Sequence, residues 1–131
     1  MKIKAKVLTP SGILLEDRFD HFVADGDEGQ VGIFENHIPI LLKITDGYLK
    51  FVQEGKTTYV VVRNGVLDFK QNVATIVAEN VEIGDNLAQT KKELHLHLKE
   101  RLQESKQQFV DFVGAEKELA RTIQEVVKNK I

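Results

Sequence analysis

The sequence contains no cysteine and no tryptophan, and only two prolines in 131 residues. Without cysteine there can be no disulfide, no thiolate nucleophile and no cysteine-based zinc site. That composition also fits a reducing cytoplasm. No apolar run approaches the roughly 20 residues that a membrane-spanning helix needs. The longest lies around Ile38–Leu42, and the chain opens on a strand-like pattern, with neither an apolar signal core nor a basic, serine-rich transit segment. The expectation is a protein that does not itself insert into a membrane. An excess of positive charge is missing too. The net charge is −2 and the isoelectric point about 6.1, which argues against nucleic acid as a partner, because phosphate binding needs a basic face.

Catalytic signatures are equally scarce. No G-x-x-x-x-G-K-[ST] phosphate loop occurs, and nothing marks any serine as a nucleophile. Asp25-Gly26-Asp27-Glu28-Gly29 resembles the start of a calcium loop. An EF-hand wants an acid or amide fifth, glycine sixth and glutamate twelfth, and those positions hold Gly29, Gln30 and Asn36. A solvated turn is the better reading. His95 and His97 diverge by about 200° on a helix and could share a metal only on a strand. The leucines around them favour helix, so no metal site is expected. His21 sits inside a strand candidate as a structural residue.

What is present is a globular composition, 42% hydrophobic and 29% charged, arranged with two different periods. From Met1 to about Gly84 the period is two. Lys2, Lys4 and Lys6 alternate with Ile3, Ala5 and Val7, which sends lysines to water and aliphatics to a core. Further strands are expected over Phe19–Ala24, Gln30–Phe34, Ile38–Lys43, Tyr48–Gln53, Thr57–Val62, Val66–Lys70 and Val73–Ala78. Turn signals stand at Pro10-Ser11-Gly12, Asp25-Gly26, Asp46-Gly47, Glu54-Gly55-Lys56 and Asn64-Gly65, where glycine and asparagine accept the positive φ of tight hairpins. Many short strands with no helix between them predict an antiparallel β-sandwich or barrel.

After Asp85 the period becomes helical. Leu87, Leu94, Leu98 and Leu102 share one face, and Phe112, Ala115, Leu119, Ile123 and Val126 share another stripe, widened by Val113, Ala120 and Val127. Polar Glu104–Gln108 can host the reversal, and Asp111 is placed to cap the second helix. A two-helix antiparallel hairpin over 85–131 is therefore expected. Leu96 falls on the wet side, as single leucines often do on a surface; a helix that packs on different faces in different states would also place one there. Charge follows the same division: nine basic and twelve acidic residues through Gly84 give −3, and nine basic and eight acidic from Asp85 give +1. The fold class read from these patterns is α+β, with domains over 1–84 and 85–131.

One run is far more specific than the rest. Gly29-Gln30-Val31-Gly32-Ile33-Phe34-Glu35-Asn36-His37-Ile38-Pro39-Ile40-Leu41 closely resembles the G-x-[IL]-G-[hydrophobic]-x-x-[GN]-H-x-P-L pattern of epsilon subunits of F-type rotary ATP synthases, bacterial type. Val7-Leu8-Thr9-Pro10-Ser11-Gly12 is similar to that family's V-x-[ST]-P-x-G opening, and Val60–Leu67 to one of its strand-and-turn segments. Ala115-Glu116-Lys117-Glu118-Leu119-Ala120 resembles its A-E-x-A-L-x helix signature.

The resemblance implies a β-sandwich that binds the gamma subunit and sits on the ring of c subunits, followed by two helices. It implies a non-catalytic rotor part at the cytoplasmic face of the cell membrane, peripheral, coupling gamma to the ring during ion-driven ATP synthesis. On that reading Gln30, Glu35, Asn36 and His37 contact the c ring; alternatively His37 and Pro39 shape a strand entry. Gln30 stands where the family often has an acid, and Glu35 where it often has proline. The helical hairpin of relatives can extend into the catalytic alpha/beta head and block ATP hydrolysis, with basic residues of the second helix opposing acids there. Lys117, Arg121 and Lys128 are the candidates by position, interspersed with Glu116, Glu118 and Glu125, so a solvated face fits as well. Some relatives bind ATP through an [IL]-D-x-x-R-A motif. Here Ile83-Gly84-Asp85-Asn86-Leu87-Ala88 lacks the arginine in either register, which predicts weak or absent ATP binding and no cofactor. Two other readings keep the fold: a structural paralogue in a diverged rotary ATPase, and a free-standing binding module with a helical dimerisation tail.

Overall fold

The computed structural model of the chain describes residues 2–104. Seven strands come first: β1 (Ile3–Thr9), β2 (Gly12–Phe19), β3 (His21–Gly26), β4 (Gly29–Phe34), β5 (Ile40–Gln53), β6 (Lys56–Lys70) and β7 (Val73–Gly84). A helix, α1, begins at 87 and continues through 104, the last described residue. The second helix expected after Asp111, with Lys117, Arg121 and Lys128, lies outside the described residues.

The strands form one sheet in the order β2-β1-β7-β6-β5-β3-β4. Five neighbouring pairs are antiparallel as expected, while β1 and β7 run parallel. These are the first and last strands and no hairpin joins them, so no turn dictates their direction. Their register instead follows burial, with Ala5 opposite Ala74 and Val7 opposite Ile76, all four buried.

The sheet closes on itself to make the sandwich. β2 and β5 stand at separate places in the strand order, yet the rings of Phe19 and Phe51 lie 4.7 Å apart. Phe51 also meets Phe22 at 4.9 Å, and Phe22 meets Phe69 at 6.0 Å. Fully burying each such ring contributes about 1.5–3 kcal/mol. Alternation at the start of the chain behaves as its pattern requires: Ile3, Ala5 and Val7 are fully buried.

Two expected turns are not turns. Asp46-Gly47 lies inside β5 and Asn64-Gly65 inside β6, so four short strand candidates merge into two long strands. Glycine is needed at 47 and 65 for close approach. A Cβ on residue 47 would collide with the carbonyl oxygen of Asp25, and one on residue 65 would lie 2.6 Å from Val62 Cγ1 and 2.8 Å from Ala78 Cβ. The reversals that flank β6 occur at Glu54-Gly55, as expected, and at Gln71-Asn72, all with positive φ. β2 escapes the sequence pattern because it buries only Phe19 and shows no inward–outward alternation.

At the strand-to-helix junction Asn86 caps α1, its side-chain oxygen accepting the Gln89 amide at 3.0 Å. Thr90 is buried against Gly84, and its hydroxyl donates to the Asn86 carbonyl at 2.6 Å. Leu94 is buried, Leu87 and Leu98 half-buried, and Leu96 and Leu102 exposed. The compact unit carrying the sheet extends to Leu94, so the first two turns of α1 pack with the strands.

Candidate functional site

The turn between β4 and β5 carries three of the four expected ring-contact residues. Phe34 ends β4, and its carbonyl accepts the His37 amide at 3.1 Å, closing a turn over Glu35 and Asn36. Asn36 holds a φ of 64°, a left-handed conformation that asparagine tolerates better than most residues. His37 Nδ1 lies 2.7 Å from the carbonyl oxygen of Ile38. A carbonyl can only accept, so Nδ1 carries the proton and Nε2 is left as the acceptor nitrogen of the neutral ring. The His37 ring stands edge-on to Phe69 at 6.0 Å, which fits a role in shaping the strand entry, and it is half-buried. Next to it Ile38 is 75% exposed.

Gln30 is placed elsewhere. It lies near the other end of β4, where its side-chain amide donates to the Tyr48 hydroxyl at 3.1 Å. Four residue steps along the strand separate it from Phe34, about 13 Å at the rise of an extended chain. The structure therefore gathers Glu35, Asn36 and His37 on one turn and sets Gln30 apart.

A residue the sequence reading did not single out completes the turn. Asn72, on the β6–β7 reversal, accepts the Asn36 amide through Oδ1 at 2.6 Å and donates through Nδ2 to Asn36 Oδ1 at 3.0 Å. The signal that could have found it was the two-residue gap between the Val66–Lys70 and Val73–Ala78 strand candidates, which lacks glycine but contains asparagine.

A second surface lies on an outer face of the sheet. Ile13 pairs with Leu8, Leu8 with Val77, and Val77 with Val66, so their side chains share one face in a continuous row across four strands. Ile13 is 52%, Val77 54% and Val66 42% exposed. Lys43 opposite Val66 ends the row. Leu41, 72% exposed, stands two residues from Lys43 on the same side. Leu41 and Val66 line a cleft of about 570 Å³ together with the Gly26–Gly29 hairpin and Lys43–Thr45.

That hairpin is more than the solvated turn expected from sequence. Asp27 accepts both the Thr45 amide and the Thr45 hydroxyl at 2.7 Å, and its own amide donates to the Lys43 carbonyl at 3.1 Å. These bonds from Thr45, helped by the charge of Lys43, hold the Asp27 carboxyl below its ordinary value of 3.8. A depressed folded-state value stabilises the fold above 3.8, and that contribution fades as pH falls through the lower value. Denaturant midpoints measured from about pH 5 to about pH 2 should show it, and Asp27→Asn should remove that part of the acid dependence.

His21 stacks on Phe34 at 5.0 Å with 19° between the ring planes, the structural role expected of it. His95 and His97 are both exposed on α1.

Comparison with known proteins gives these surfaces their context. Residues 2–84 match the family model of the ATP synthase delta/epsilon chain, beta-sandwich domain. An ATP synthase epsilon chain of Carboxydothermus hydrogenoformans is 34% identical over 86 residues, 66% of this chain and 64% of that one. This chain thus aligns with just under two thirds of that relative's length. The ATP synthase epsilon chain of Halalkalibacterium halodurans is 30% identical over 123 residues, covering 91% of this chain and 90% of the other. Among solved structures, a chain of the Euglena gracilis mitochondrial ATP synthase (OSCP/F1/c-ring) shares the fold with a TM-score of 0.60 at 18% identity, over 76% of this chain and 62% of that one. A chain of the Tetrahymena thermophila mitochondrial ATP synthase central stalk and c ring does so with a TM-score of 0.52 at 17% identity, over 62% and 66%. The sheet spans the residues that match the family model, and the chain belongs to the ATP synthase delta/epsilon-chain family.

Proposed function

We propose that this protein is a non-catalytic rotor subunit of a bacterial F-type ATP synthase. It joins the gamma subunit to the c ring during ion-driven ATP synthesis, as a peripheral protein at the cytoplasmic face of the membrane. The observation that carries the reading is the apolar row Ile13–Leu8–Val77–Val66, half-buried at Leu8 and exposed at the other three, on a small domain whose inner face is already filled. An apolar band rimmed by charge such as Lys43 is what a permanent protein partner covers. Gamma is assigned to that row, and the c ring to the turn holding Glu35, Asn36 and His37. Its exposed Ile38 and polar groups suit the polar loops of a ring.

The part of the chain after Leu94 is assigned a regulatory contact with the alpha/beta head, through Lys117, Arg121 and Lys128. Nucleotide binding is expected to be weak or absent. Where an arginine would charge-pair with phosphate, the start of α1 offers Leu87 or Ala88.

ATP hydrolysis by the parent head with gamma, titrated with the full chain and with a version ending at Leu94, tests the proposal. Ending at Leu94 rather than at Gly84 keeps the helical turns that bury Thr90 and Leu94 with the sheet. Both versions should bind, and only the full chain should suppress hydrolysis. Binding of both without suppression would remove the regulatory role and leave the coupling role. Failure of both to bind would overturn the assignment to the rotor.

A further inference from the structure

The turn over Glu35–His37 has no regular ladder to hold it, and its central residue Asn36 has a left-handed φ of 64°. Besides the His37 amide bond to the Phe34 carbonyl and the edge contact of His37 with Phe69, a further hold reaches it from outside β4 and β5. The polar groups of the Asn72 side chain reach it from the β6–β7 reversal. Oδ1 accepts the Asn36 main-chain amide at 2.6 Å, and Nδ2 donates to the Asn36 side chain at 3.0 Å. An amide is suited to this task because it offers an acceptor and donors on one rigid plane.

Asn72 is itself held. Its φ is 60°, it sits in a two-residue reversal closed by the Lys70–Val73 pair, and its carbonyl accepts the Lys4 amide of β1 at 2.9 Å. The clasp thus runs from β1 through the β6–β7 reversal to the turn. Asn36 is exposed and Asn72 half-buried, and hydrogen bonds that water can replace add little to overall stability. Their effect is local: they restrict which way Glu35, His37 and Ile38 project.

We infer that Asn72 is a positioning residue for the partner-binding turn, orienting Glu35 and His37 through Asn36 without touching the partner. This rests on the proposed ring contact of that turn. A preorganised loop loses less conformational entropy on binding than a free one, so loss of the clasp weakens binding while leaving the contact residues in place.

The test uses the full-length chain with Asn72→Gly, which tolerates the positive φ while removing the amide, and Asn72→Asp, which keeps the acceptor for the Asn36 amide. Two quantities are measured: hydrogen exchange of the Asn36 amide in the free chain, and affinity of the chain, bound to gamma, for the purified c ring. Asn72→Gly should speed Asn36 exchange about tenfold or more and weaken ring binding by about tenfold, with gamma affinity and thermal midpoint unchanged. Asn72→Asp should largely retain Asn36 protection. Unchanged exchange in Asn72→Gly would overturn the clasp. Faster exchange with unchanged ring affinity would overturn the positioning role if Glu35→Ala or His37→Ala weakens ring binding. If those two variants also leave the ring affinity intact, the ring contact itself falls, and the positioning role with it.

Discussion

Replacing Gly47 with alanine should lower the stability of the β domain by about 3 kcal/mol or more, in the range of severe overpacking at a backbone contact. Gly47 lies within β5, beside the carbonyl oxygen of Asp25 on β3, and an added Cβ would run into that oxygen. Ile44 Cγ2 would stand 3.0 Å away on another side. Neither neighbour yields easily. Asp25 is paired both with Gln30 on β4 and with Tyr48 on β5, and Ile44 is fully buried. Relief would require β3 and β5 to part where the hairpin and the long strand meet. Gly32→Ala is the matched control: its Cβ would meet only the Phe34 ring, at an ordinary 3.5 Å, and should cost about 1 kcal/mol or less. Urea or guanidinium midpoints of the two variants decide the matter. Equal midpoints would mean that β3 and β5 do not approach as closely at residue 47 as the structure places them.

The second large effect concerns binding. The double substitution Val66→Glu with Val77→Lys should weaken association with gamma about a hundredfold or more, because two charges would lose water against an apolar partner surface. Val66 and Val77 are directly opposite each other, and Val66 is also opposite Lys43. The new charges therefore pair favourably within the sheet, and the fold should change by only about 0.5 kcal/mol. Calorimetry of the full chain with gamma, alongside a thermal melt, reads both quantities. Undiminished affinity in a folded variant would show that gamma binds elsewhere.

Much of this architecture was legible before any coordinates. Period-two alternation in residues 2–7 and the switch to helical period after Asp85 located the β and helical parts, because side-chain direction in each element follows from backbone geometry alone. The run from Gly29 to Leu41 located the family and three residues of one turn. His21 was read as structural and is, stacked on Phe34.

Other features depended on neighbours distant in sequence. Asp46-Gly47 and Asn64-Gly65 have the composition of turns, yet both lie inside long strands, since their glycines admit a carbonyl or a side chain from across the sheet. Composition reports that a glycine is present and not which of its two uses applies. β2 was missed because Phe19 is the one buried residue among its eight, so its sequence carries no alternation. Thr90, buried between Gly84 and the start of α1, has no apolar period to announce it. The parallel pairing of β1 with β7, the row Ile13–Leu8–Val77–Val66, and the bonds from Asn72 to Asn36 join residues up to about seventy positions apart. The sequence by itself determined what each segment prefers locally: its period, its turn-forming residues and its family motif. Only the tertiary structure decided which segments meet, because close approach, shared exposed faces and side-chain clasps exist between strands and are written in no single stretch of chain.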